Sequence, residues 1–300
     1  MITSIVSFQK TFFILFYVVS TSYYYYYKAA GLSLGQSSRR QFVYTTTSTI
    51  ASSVLIHPIT PCNAETETEK LKRIYDTQAS TYEELYSESI ISRKLDFDRL
   101  RENLLSNAKG NVLELGVGTG LNLSHYPDNN DITSYTAIDL SPKMLEQAKL
   151  KFEMSMQSNE SKASLVSSSL QLLYRENKVS FQLADVEKLS TLFPKTVDGQ
   201  KIQFDTIIDT FGLCVFPNPQ IVLQQARDIL SPHGQLLLLE HQDSMIAKVL
   251  SPTRNLSDVS NTCRYNDDVR GLIQQTGFDK VEFEDLAGGF LINVIATKSS

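Results

Sequence analysis

Glu114-Leu115-Gly116-Val117-Gly118-Thr119-Gly120 ends a short apolar run that begins at Asn111, and it sets three glycines at alternate positions. Glycines at such a turn let the backbone bend tightly and let a ligand approach without a Cβ in the way. The run therefore reads as a first β-strand that delivers a ligand-binding turn and then enters a helix. The dinucleotide fingerprint Gly-x-Gly-x-x-Gly would need a glycine at position 121, where this chain has Leu121. That spacing argues against a nicotinamide or flavin dinucleotide.

Downstream, short apolar runs alternate with helical periodicity. Strands are predicted at Ser134–Asp139, Val179–Ala184, Phe204–Asp209, Gly234–Glu240, Val281–Glu284 and Leu291–Thr297. Helices are predicted from Ser141-Pro142 through Leu150, from Ile221 to Leu230 and from Asp267 to Thr276. Upstream, apolar positions from Leu71 to Tyr86 and from Leu95 to Leu105 predict two helices before the first strand. Alternation of this kind means crossover connections, hence an α/β fold with a doubly wound, mainly parallel sheet. The few residues around Gly288-Gly289 are too short for a crossover, so the last strand should run antiparallel. Ser155–Ser169, rich in Ser and Asn, reads as a surface insertion.

The first 64 residues hold no Asp or Glu, so the rest of the chain carries all 33 acidic side chains against 24 basic ones. Such an acidic domain lacks the clustered Lys and Arg that a phosphate backbone requires, which excludes nucleic acid as the expected partner. Three cysteines and four histidines show no metal-ligand or disulfide-framework spacing, so no metal is implied. Residues 1–64 read as a targeting segment. Phe12–Val19 is an apolar run too short to span a bilayer, Ser38-Arg39-Arg40-Gln41-Phe42-Val43 resembles a twin-arginine signal, and Cys62-Asn63-Ala64 resembles a cleavage site. Together they read as a bipartite address for a chloroplast, stroma or thylakoid lumen, or alternatively as a single mitochondrial transit peptide. The domain division expected is 1–64 for targeting and 65–300 for the folded body.

The glycine spacing, with Glu114 two residues ahead of it, resembles the first motif of the class I S-adenosylmethionine (SAM) methyltransferases. Asp139 ends the second strand 23 residues after Gly116, Ala184-Asp185-Val186-Glu187 ends the third, and Leu230-Ser231-Pro232-His233-Gly234 leads into the fifth. The lead-in Tyr75-Asp76-Thr77-Gln78-Ala79-Ser80-Thr81-Tyr82-Glu83 resembles the branch that holds the quinone-biosynthesis C-methyltransferases, the type-11 domain proteins and small membrane-associated methyltransferase-like proteins of mitochondria and lipid droplets. The stretches Asp209–Cys214 and Asn261–Asp267 are most similar to its mitochondrial and plastid members. Asn266 follows Glu240 by only 26 positions, a short span for a substrate lid.

The resemblance implies a seven-stranded Rossmann-like sheet and SAM as cofactor. It places cofactor contacts at Tyr75, Glu114, Gly116, Gly118, Gly120, Asn122, Asp139, Leu140, Met144, Asp185, Val186 and Thr210. Asp139 would accept from the ribose diol, and Asp185 from the adenine amino group. His241, at the end of the fifth strand, is the candidate general base, and packing at a strand end is its plainer role. Cys214 reads as pocket lining and His125 as a surface or helix-end residue. The implied activity is methyl transfer to a small apolar acceptor such as a quinone precursor, a thiol or a lipid-like molecule, with peripheral membrane association. The rival is a protein that keeps the fold as an assembly or scaffold factor.

Overall fold

The structure is a computed structural model that describes residues 65–88, 90–129, 131–157, 165–194, 203–244, 262–263 and 268–299. The targeting readings at residues 1–64, and most of the Asn261–Asp267 stretch, lie outside these. Glu65–Ser300 forms one compact unit. No helix among the described residues is long and apolar enough to cross a membrane.

Among the described residues seven strands form one sheet. They are β1 (Gly110–Leu115), β2 (Ile132–Asp139), β3 (Val179–Leu183), β4 (Phe204–Thr210), β5 (Leu230–His241), β6 (Lys280–Leu286) and β7 (Leu291–Thr297). Their order across the sheet is β3-β2-β1-β4-β5-β7-β6. β1 to β5 pair in parallel, and β7 runs antiparallel to both β5 and β6. The short link at Ala287–Gly289 is a single 3-10 turn, as its length required.

Period-two alternation assigns each strand's side chains to two opposite cores. Leu113, Ile207, Leu236 and Leu238 face one core, where α7 (Pro219–Ile229) contributes Val222, Leu223 and Ala226 and α8 (Val269–Thr276) contributes Val269 and Ile273. Val112, Ile208, Leu237 and Leu239 face the other. There α4 (Phe97–Leu105) inserts Leu104 and Leu105, α5 (Pro142–Gln157) inserts Leu145, Ala148 and Phe152, and α6 (Ser168–Arg175) inserts Leu170 and Leu173. The central strands β1, β4, β5 and β7 thus carry largely apolar runs because both faces are covered.

Several local readings need correction. The two helices expected before β1 are four: α1 (Glu67–Gln78), α2 (Tyr82–Glu88), α3 (Ile90–Lys94) and α4. The turn at Ala79–Thr81 separates α1 from α2, so Tyr75 and Tyr82 sit on different helices, although their rings still lie 6.3 Å apart. No helix follows the glycine turn. Residues 118–125 form consecutive turns closed by bonds from Gly120 N–H to Val117 O, Leu123 N–H to Gly120 O and His125 N–H to Asn122 O. The side chains explain it, since Asn122 and Tyr126 are both drawn back to Glu114 beneath the turn. The serine-rich stretch is in part structural, because Val166 is fully buried and Ser167 N–H donates to Leu123 O while Ser169 Oγ donates to Pro127 O. It props up the irregular segment that took the helix's place.

Candidate active site

The strand order reverses between β1 and β4, so the loops at their carboxyl ends diverge and leave a crevice there. Ligands of open α/β sheets bind in such a crevice. Gly116, Gly118, Asp139, Asp185, Thr210 and His241, all of them sequence candidates, lie at or just past the carboxyl ends of β1 to β5.

The glycines differ in purpose. Gly118 has φ +57°, and a Cβ built there would meet only Gly116 O at 3.9 Å, so this face of the turn is open. Gly120 has φ +81°, but its Cβ would lie 2.5 Å from Leu123 Cδ1 and 3.4 Å from Ala148 Cβ, so it serves packing. Gly118→Ala should therefore cost only the left-handed strain, about 1–2 kcal/mol, and obstruct ligand approach. Gly120→Ala should add a steric clash and lose stability by more. Thermal melts of the two variants, read beside their affinity for ligand, check the contrast.

Asp139 is only 8% exposed at the end of β2. One of its oxygens accepts from Gly118 N–H and the other from Ser141 N–H, both at 2.8 Å. A carboxylate has about four acceptor sites, so capacity remains for a ligand hydroxyl. The acid thus fits a ribose and also holds the glycine turn. Burial, together with nearby Asp76, pushes its pKa up to about 6, against the pull of the backbone N–H groups of Ser141, Gly118 and Leu140. Ser141 links this acid to α1, because its Oγ donates to Asp76 Oδ1 at 2.6 Å and accepts from Met144 N–H at the start of α5. Met144 is buried in that first turn.

Glu114 is a buried hub. Oε1 accepts from Asn122 Nδ2 at 3.0 Å, and Oε2 accepts from the hydroxyls of Tyr126 and Tyr135, each at 2.6 Å. Desolvation raises its pKa and drives the two tyrosines well above their ordinary value. Asp185 caps the 3-10 turn Val186–Lys188 through Glu187 N–H and pairs with Lys188 at 3.1 Å, and Val186 is buried beside it. Thr210 Oγ1 accepts from Asn122 Nδ2 at 3.1 Å, and Tyr75 OH meets Thr262 Oγ1 at 3.0 Å. His125 is half-buried, with Nε2 3.7 Å from Asp98.

The far side of the crevice is aromatic. Phe211, directly after β4, has φ +61°, a strained value for a residue with a Cβ, and strain of this kind gathers at functional sites. Its ring stacks on Phe97 at 4.7 Å and lies 5.0 Å from the His241 ring, which is 5.2 Å from Phe290. Burial alone holds the His241 imidazole down at about 3, so it stays neutral and is a weak proton acceptor at neutral pH. Its Nδ1 lies 3.3 Å from Cys263 Sγ and 3.8 Å from Cys214 Sγ.

The cysteine reading is overturned here, because Cys214 and Cys263 form a disulfide across 49 residues of sequence, with Cα atoms 5.0 Å apart. Cys214 therefore does more than line a pocket.

Behind Phe211 lies an acid pair missed in the sequence. Asp209 and Glu240 are 1% and 0% exposed, and Glu240 Oε1 accepts from Leu213 N–H at 3.0 Å. Burial pushes Asp209 up to about 7 and Glu240 well above its ordinary value, so the two share a proton near neutrality. A raised folded-state pKa means stability is lost as pH rises toward it. Asp209→Asn should melt higher than the parent above pH 7, by a few degrees, with the gap closing toward pH 5.

A sequence profile described as a methyltransferase domain matches residues 88–282. The chain belongs to the methyltransferase-domain family. It is 29% identical over 217 residues to the mitochondrial methyltransferase OMS1 of Saccharomyces cerevisiae, covering 69% of this chain and 42% of that protein. It is 26% identical over 203 residues to the thiol S-methyltransferase TMT1B of Rattus norvegicus, covering 63% of this chain and 68% of that protein. The chain thus spans less than half the length of the yeast relative. Among solved structures, a SAM-dependent methyltransferase of Thermotoga maritima superposes with a TM-score of 0.50 at 16% identity, over 76% of this chain and 99% of that one. The methyltransferase-domain family accounts for the seven-stranded mixed sheet.

Proposed function

We propose that this methyltransferase-domain protein transfers the methyl group of SAM to a small apolar acceptor, with a thiol as the leading class, in mitochondria. The observation that carries the reading is Asp139, a buried acid at the end of β2 that accepts from the N–H of Gly118, in the open glycine turn after β1, and from that of Ser141. When bound, the cofactor supplies a methyl group already activated by a sulfonium. The chain's own part is then to orient the two reactants and keep water out. Asp139 would hold the ribose, Asp185 and Val186 the adenine side, and Phe97, Phe211 and Phe290 would form the apolar wall on the acceptor side.

A general base is needed only if the acceptor must lose a proton in the transition state. His241 is placed among the aromatic rings, but an imidazole held near 3 is poorly matched to that task at neutral pH. A thiol acceptor, which reacts as the thiolate, fits this arrangement because it can ionise before transfer. The thiol relative supports that class, and the yeast relative supports the mitochondrial site over the plastid one.

Calorimetry of the protein with SAM and with S-adenosylhomocysteine tests the cofactor. Binding of both is expected, and binding of neither would leave a scaffold role. A panel of labelled transfers to thiols, quinols and lipid amines tests the acceptor, with thiol methylation expected. For a thiol acceptor, His241→Asn should keep the shape of the pH–rate profile, because no limb of it comes from this imidazole. A fluorescent fusion of the whole chain tests the organelle.

A further inference from the structure

The disulfide and the imidazole beside it form one cluster. His241 Nδ1 lies 3.3 Å from Cys263 Sγ and 3.8 Å from Cys214 Sγ, and the donor atoms of the three residues all lie within 4.8 Å of one another. Cys214 is 2% exposed, and His241 and Cys263 are each 9% exposed. Local spacing carries no sign of the group, because 27 and 22 positions separate its members along the chain.

Each member is held by contacts other than the S–S bond. Glu240 accepts from Leu213 N–H at 3.0 Å and also from Cys214 N–H, which ties the loop after β4 to the end of β5. His241 closes β5 opposite Leu291 of β7, and its ring packs against those of Phe211 and Phe290. Thr262, next to Cys263 and 1% exposed, meets the Tyr75 hydroxyl of α1 at 3.0 Å. Opening the disulfide therefore leaves two thiols and an imidazole gathered at one point.

These are zinc ligands by type. Tetrahedral zinc, with bonds of about 2.3 Å to sulfur and about 2.0–2.1 Å to nitrogen, sets a sulfur and a nitrogen ligand about 3.6 Å apart and two sulfurs about 3.8 Å apart. The two sulfur–nitrogen distances straddle that value. With Cα atoms 5.0 Å apart, side-chain rotation lets the two sulfurs separate once their bond is broken. Two thiolates and a neutral imidazole also cancel the charge of a divalent ion, so the loaded site is neutral, which suits its burial.

We propose that the reduced domain binds one zinc ion through Cys214, Cys263 and His241, so that disulfide and metal are alternative clasps for the same two segments. A dithiol reductant supplies two electrons and two protons; its own sulfurs join as a disulfide while Cys214 and Cys263 become thiols. Zinc then displaces both thiol protons to solvent, forms two Zn–S bonds and takes the Nδ1 lone pair of the Nε2–H tautomer. The fourth tetrahedral position is left to water or a small ligand. Compartments that keep thiols reduced do not preserve disulfides, and there the metal would keep Cys263 fastened beside β4 and β5. The cofactor reading plays no part in this.

The test takes the whole chain, reduces it with a dithiol, strips it with a chelator, desalts it without oxygen and titrates it with zinc against a chromophoric chelator. One equivalent should bind to the parent and to Cys62→Ser alike, and the oxidised parent should bind about a hundredfold or more weakly. Zinc at a hundredfold excess over Kd should raise the melting temperature of the reduced parent by about 5–10 °C. Cobalt(II) in its place should show the visible bands of a tetrahedral ion together with thiolate charge transfer. Mutating an outer-shell partner costs roughly ten- to a hundredfold in affinity. Cys214→Ser, Cys263→Ser and His241→Asn, each of which removes a ligand, should therefore bind about a hundredfold or more weakly. The comparison of reduced with oxidised parent needs no variant, so it stands even if these fail to fold. No zinc bound by the reduced parent, equal binding by the oxidised parent, or loss of binding in Cys62→Ser would overturn the proposal. Unchanged affinity in His241→Asn would overturn the three-ligand site as well.

Discussion

Asp139→Ala should bind SAM a hundred- to several-hundredfold more weakly than the parent, and it should also melt lower. The affinity loss follows from two charge-assisted bonds to a ribose diol, each worth about 1.5–3 kcal/mol and not fully additive. The loss of stability follows from the carboxylate's other duty, since its removal leaves the N–H groups of Gly118 and Ser141 without their acceptor. Each unpaired buried donor costs about 1–3 kcal/mol, offset in part by relief of a desolvated charge. The pH dependence gives a second signature. Because the folded-state value of Asp139 is raised to about 6 from an ordinary 3.8, the native domain holds more protons than the unfolded chain between those values. Ligand-free stability should therefore fall as pH rises through that window. Affinity for SAM should rise through the same window, because the ionised acid is the better acceptor for the diol. Asp139→Asn should flatten the affinity curve. An unchanged affinity in Asp139→Ala would place the cofactor elsewhere.

The second large effect concerns the disulfide. Replacing both Cys214 and Cys263 by Ser should destabilise the domain by about 4 kcal/mol, the chain-entropy value for a closed loop of this size. For a domain of this length that lowers the melting temperature by roughly 8–16 °C. The parent melted under strong reductant should move the same way, while Cys62→Ser should leave the melt unchanged. If the double variant melts with the parent, the bond contributes nothing to the fold.

Much of the sheet could be read in advance because its central strands β1, β4, β5 and β7 are largely buried and stand out as apolar runs. The antiparallel β7 was legible from the length of the link before it. The turns after Gly120 were not, because the sequence there has helical periodicity, and only the pull of Asn122 and Tyr126 toward Glu114 breaks it. The disulfide was hidden by its 49-residue separation, which carries no local signal. Arg101 on α4, 4% exposed and donating to Asn122 Oδ1 and Thr210 Oγ1, was also overlooked. It lies four residues after Phe97 and three before Leu104, on the face that the pattern assigned to the core, so a cation there was already an anomaly. Asp209 and Glu240 escaped notice for the opposite reason, since an acid at a strand end is unremarkable until its burial is known.

The placement of β7 has a consequence for the order of assembly. β7 is inserted between β5 and β6, although it follows both in the chain. During synthesis the first five strands can pair in parallel as they emerge, but β5 then presents an open edge with unpaired backbone groups, the kind of edge on which chains aggregate. β6 cannot cover it, because in the finished sheet β6 touches only β7. The nascent domain therefore stays adhesive along one side until residue 297 has been made. A premature stop near Phe290 would yield a chain that keeps the glycine turn and Asp139 yet exposes the β5 edge for good, and its fate would be chaperone capture or degradation.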